Sequence, residues 1–106
     1  MAWIVLFAAG LLEVVWATAM KQSQGFVRPG PTAITLVAML ASVALLSAAM
    51  RTLPLGVAYM VWTGIGALGA FAIGVVVLGE AAGPLRLAAA ALILAGLALM
   101  KLSEGG

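Results

Sequence analysis

No cysteine and no histidine occurs among these 106 residues. The first absence excludes disulfides, thiol chemistry and thiolate metal sites, and leaves the redox compartment undetermined. The second removes the commonest proton shuttle. Charge is scarce too. Only 8% of residues are charged, against about 25% in a typical soluble domain, and just three are acidic: Glu13, Glu80 and Glu104. What remains is 66% hydrophobic with a mean hydropathy of +1.29. Such a composition belongs in a membrane. The five basic residues give a net charge of +2 and a pI near 9.7, but they are dispersed and form no stripe, so nucleic acid is not an expected partner.

A chain of this length has room for four spans of about 20 residues, and no soluble catalytic domain fits beside them. Span one covers about 2–20 and closes on Lys21-Gln22-Ser23-Gln24-Gly25. Its Ala17-Thr18-Ala19 has the small-x-small form of a cleavage site. However, no basic residue precedes the apolar run and the run contains a glutamate, so a retained helix is expected. Arg28-Pro29-Gly30-Pro31 then breaks the chain and leads into span two, about 32–50. Leu53-Pro54-Leu55-Gly56 forms a turn before span three, about 57–78, which Gly79-Glu80 and Gly83-Pro84 close. Span four is about 85–102, with Arg86 and Lys101 placed to snorkel to opposite interfaces. All four are expected to be helices in one domain covering 1–106, because backbone groups in lipid must be satisfied within the segment and no strand-like alternation suggests a barrel.

Basic residues are almost evenly divided between the two faces. Arg51 and Lys101 share one side with the N-terminus, while Lys21, Arg28 and Arg86 share the other. The positive-inside rule therefore gives almost no orientation preference. Either the chain inserts both ways, or a weak bias escapes simple counting.

Glu13 lies in the middle of span one. A carboxylate at mid-membrane costs at least about 2.5 kcal/mol, and such residues face a bundle interior and mark an ion, proton or substrate path. None of the five basic residues lies at its depth, so the carboxyl group must be either protonated or occupied by a cation from outside the chain. This is the minimum machinery of a proton/cation exchanger. Around it, Trp16 falls one turn on and Gly10 lies on the same face, leaving room beside the carboxylate. Span two contributes Ser42. Span three contributes Tyr59 and Trp62, followed by Gly64, Gly66 and Gly69. Aromatic faces attract cations and hydroxyls donate hydrogen bonds, so these residues describe a small pocket for a cation. Each has a plainer alternative. Trp3 reads as an interfacial anchor, and Trp16 and Tyr59 could be the same; Ser42 could be a helix–helix hydrogen bonder, and the glycines could serve close packing. An enzyme is not expected, since no second acid, base or nucleophile lies at that depth. No cofactor is expected beyond a proton gradient.

The chain resembles the small multidrug resistance family of four-helix bacterial transporters over essentially its whole length. The resemblance rests on Leu11-Leu12-Glu13-Val14-Val15-Trp16, on Lys21-Gln22-Ser23-Gln24-Gly25-Phe26, and on Pro54 to Gly66 with its Tyr59-x-x-Trp62-x-Gly64 core. Trp16 and Trp62-Thr63-Gly64-Ile65-Gly66 look like the guanidinium-exporter subtype. The resemblance implies an antiparallel homodimer in the bacterial inner membrane, both copies of Glu13 facing one pocket, Trp16 and Ser42 orienting the carboxylates, and Tyr59 and Trp62 walling it. It also implies exchange of protons for guanidinium-type cations. Ala89 and Gly96 offer a small-residue dimer face, although Ala88-Ala89-Ala90-Ala91 is smaller than usual for span four. Two other readings stand beside this one: a broad-range exporter of quaternary ammonium and hydrophobic cations, and a non-transporting accessory membrane peptide.

Overall fold

The computed structural model describes residues 1–103; Glu104, expected near the end of span four, lies outside the described residues. The chain forms four α-helices: α1 (Ala2–Gln22), α2 (Pro29–Ala49), α3 (Leu55–Val76) and α4 (Pro84–Ser103). Each holds 20 to 22 residues and is long and apolar enough to cross a membrane. At about 1.5 Å per residue that is roughly 30–33 Å, the thickness of the hydrocarbon core. No strand occurs among the described residues.

The ends follow from local chemistry. α1 runs through Lys21 and Gln22, past its expected end, because Ser23 and not Lys21 stops it. Ser23 is fully buried; its hydroxyl donates to the Met20 carbonyl at 2.7 Å and accepts from the Phe26 amide at 3.0 Å. Three successive left-handed residues, Gln24, Gly25 and Phe26, then turn the chain. α2 starts at Pro29, earlier than position 32, since proline at the first helical position gives up no needed hydrogen bond. Extended Arg28 caps it, its carbonyl accepting from the Thr32 amide and hydroxyl. α3 likewise starts at Leu55, just after Pro54. It ends at Val76, two residues before its expected limit, where left-handed Gly79 lets the Glu80 amide fold back onto the Gly74 carbonyl at 2.9 Å.

The helices form a slab 43 × 35 × 16 Å. α1 is the central element, packed most extensively on α2 and next on α3, while the α4 backbone runs close only to α3 and reaches α1 through side chains such as Lys101. Leu6, Ala9, Leu46, Ala49, Ala58, Val61 and Trp62 make the core, with contributions from α1, α2 and α3. α4 buries no residue, and apolar side chains such as Leu85, Leu92 and Leu99 stand exposed on it. Apolar exposure on this scale matches a lipid environment or a covering helix rather than water.

Candidate functional site

Glu13 projects from α1 against α3 at Gly66, which is buried. A Cβ on Gly66 would overlap the carboxylate, so only glycine there seats the side chain in the α1–α3 seam. The Glu13 Oε1 atom is buried and accepts no hydrogen bond from the described residues; one turn on, the Trp16 indole Nε1 is buried and donates none. An orphaned polar atom costs about 1–3 kcal/mol, more for a charged group. Buried polar atoms such as these call for partners, which water, a ligand or a neighbouring chain can supply.

Ser42 of α2 sits about one helical turn before Glu13, where α2 meets both α1 and α3. Fully buried, it donates its hydroxyl hydrogen to the Ala9 carbonyl at 2.6 Å and accepts from the Trp62 indole Nε1 at 3.0 Å. Three helices therefore meet at one oxygen. Ala9 stands one helical turn before Glu13, so Ser42 acts on the helix carrying the carboxylate, and no bond between Ser42 and Glu13 is present among the described residues. Tyr59 packs on Trp62 with ring centroids 5.4 Å apart and planes tilted by 51°, and it is 52% exposed. It faces a cavity of about 370 Å³ shared with Thr63, Gly64 and Ile93, between α3 and α4.

The glycines have separate uses. Gly10 does not make room for the carboxylate: its space is taken by Ile65, whose Cγ2 would lie 2.5 Å from an added Cβ, so Gly10 lets α3 approach α1. Gly64 receives Leu97 of α4, and Gly69 receives Val14 of α1. Ala89 is exposed and lines a cavity of about 240 Å³ beside Arg86, while Gly96 faces open space. Trp3, expected as an interfacial anchor, carries the Lys101 ammonium 4.8 Å from its ring centroid. Sequence reasoning left the Ala9 carbonyl and the buried Ser23 without roles. A backbone acceptor carries no residue-type signal, but Ser23 lies inside the motif that suggested the family.

Residues 1–94 match the family described as Small Multidrug Resistance protein. The chain belongs to the small multidrug resistance family. Curated relatives agree over nearly full length. A guanidinium exporter of Citrobacter freundii and one of Salmonella typhimurium are each 58% identical over 103 residues, covering 97% of this chain and 98% of theirs. A guanidinium exporter of Escherichia coli K12 is 57% identical over the same span. With its four apolar helices, this small multidrug resistance protein is a multi-pass protein of the bacterial inner membrane.

Proposed function

We propose that this protein is a proton-coupled antiporter that exports guanidinium and small substituted guanidinium cations by alternating access. The observation that carries the reading is the Glu13 carboxylate, seated on Gly66 in the α1–α3 seam with an unpartnered buried oxygen. Such a group holds one proton or one cation at a time, and that exclusion couples the two fluxes. A planar guanidinium donates paired hydrogen bonds to a carboxylate, which a quaternary ammonium cannot do. The names of the relatives at 57–58% identity support the same substrate.

The working unit in this reading is an antiparallel homodimer. Its support is physical: a slab only 16 Å thick, a fourth helix with no buried residue, open space at Gly96, and basic residues divided almost evenly between the two faces. Two inverted copies of one chain recreate the inverted-repeat plan of larger transporters, in which rocking about a midplane site exposes it to each side in turn. Trp16, unpartnered within one chain, and Ser42, which holds α1, orient the two carboxylates; Tyr59 and Trp62 form the wall.

The test is uptake into liposomes of purified protein under a proton gradient, guanidinium against tetraalkylammonium. Guanidinium is expected to be exchanged and tetraalkylammonium to be poorly moved. Glu13→Gln should abolish exchange with the dimer intact, and Glu13→Asp should retain part of it. Active exchange by Glu13→Gln would refute the reading, and preferential tetraalkylammonium exchange would replace it with a broad-range exporter.

A further inference from the structure

About 12 Å along α3 from Gly66, counted at 1.5 Å per residue, Gly74 seats a second carboxylate. A Cβ on Gly74 would come 2.5 Å from Glu80 Oε1 and 2.9 Å from its Cδ. The contact is built by the chain reversal at Gly79, which returns the Glu80 amide to the Gly74 carbonyl and lays the side chain against the helix it has just left. The position is unfavourable for an acid. The C-terminal end of α3 carries roughly half a negative charge, so a carboxylate there is repelled unless a cation joins it.

Between this carboxylate and α1 lies a cavity of about 280 Å³, lined by Ala17, Thr18 and Lys21 on one side and by Ala70, Gly74 and Glu80 on the other. Several waters fit in that volume, at about 30 Å³ each. Ala17 is one turn beyond Glu13, and Ala70 is one turn beyond Gly66, so the cavity continues the seam in which Glu13 sits. Lys21 and Glu80 face each other across it with no ion pair closed between them among the described residues. The remaining cations at this end are engaged elsewhere: Arg28 donates to the Gln22 carbonyl and Arg86 to the Ala81 carbonyl.

We infer that Glu80, with Thr18, forms a second and peripheral site for a guanidinium-type cation at the mouth of the α1–α3 seam. This rests on the antiport reading for the identity of the cation. The ionised carboxylate accepts two parallel N–H donors, the Thr18 hydroxyl accepts a third, and the Lys21 ammonium competes with the incoming cation for the same oxygens. In an antiparallel pair one such mouth opens on each membrane face, so both entry and exit pass a carboxylate before or after Glu13.

The experiment is a titration of the full-length ¹⁵N-labelled protein with guanidinium chloride, with tetramethylammonium chloride as the ionic control, in the Glu13→Gln background. The expected result is saturable shifts at the Thr18, Gly74 and Glu80 amides with guanidinium only. They should disappear on adding Glu80→Gln, be weakened by Gly74→Ala, which displaces the carboxylate, and be strengthened by Lys21→Gln. In the native background, Glu80→Gln should raise the guanidinium concentration for half-maximal uptake by about two- to fivefold with little change in maximal rate, the scale of other solvent-exposed charge pairs. Absence of those shifts, equal shifts with both cations, or equal losses from Glu80→Gln and Lys21→Gln would overturn the inference; the last would mean a structural ion pair. Failure of the native protein to exchange guanidinium while the shifts persist would sink the antiport reading and leave the peripheral site standing.

Discussion

Replacing Gly66 by alanine tests the seat of the carboxylate directly. The added methyl would occupy space now filled by the end of the Glu13 side chain, with Cγ as close as 2.8 Å and the carboxylate overlapping. Glutamate has three rotatable bonds, so the side chain swings out of the seam and the fold survives. The change is then in binding. Removing one partner of a desolvated, hydrogen-bonded charge pair costs about 2–5 kcal/mol; displacing the carboxylate, while keeping it, belongs near the lower end. About 2 kcal/mol corresponds to roughly a 30-fold weaker guanidinium affinity. Gly64→Ala is the matched control. Its methyl would meet Leu97 Cδ2 at 2.6 Å, the far end of a side chain on α4, so it loosens α3–α4 packing by about 1 kcal/mol and leaves the carboxylate in place. Guanidinium uptake into liposomes at a series of concentrations, with cross-linked dimer as the folding check, measures both. If Gly66→Ala transports with near-native affinity, or if Gly64→Ala is equally impaired, the carboxylate is not held by Gly66 and the geometric argument fails.

Ser42→Ala removes two hydrogen bonds and strands the buried Trp62 indole N–H, for a destabilisation of about 1–3 kcal/mol; Trp62→Phe should add little to it because the two share a bond. The serine change should also weaken guanidinium binding more than binding of a bulky hydrophobic cation, and equal losses would reduce Ser42 to helix packing. Guanidinium affinity, measured by calorimetry, should fall as pH falls and protons compete for the paired Glu13 carboxylates; an affinity independent of pH would separate the two ligands. Two lysines added to the C-terminal tail should force one orientation and cripple exchange, with activity restored by co-expressing a chain biased the other way, and full activity from the singly oriented chain would remove the case for an antiparallel pair.

Composition, four apolar runs and the punctuation between them were enough to establish a four-helix membrane protein, and a lone mid-span acid was enough to single out Glu13. The family was legible as well, because its glutamate, its Lys-x-Ser-x-Gly-Phe turn and its Tyr-x-x-Trp-x-Gly span occur in order. Helix ends shifted by a few residues, at places where Ser23, Pro29 and Gly79 make specific bonds or turns that hydrophobicity does not register. The tertiary structure alone decided which residue faces which. Gly66 rather than Gly10 receives the carboxylate, Ser42 spends its hydrogen on Ala9, and Gly79 turns a loop acid back onto Gly74. The reason is physical. A soluble helix advertises its buried face by an apolar stripe, but helices solvated by lipid are apolar all round, so their rotation about their own axes leaves almost no periodic trace in the sequence. It is set instead by the fit of small residues against large ones, and that fit exists only once the helices have packed.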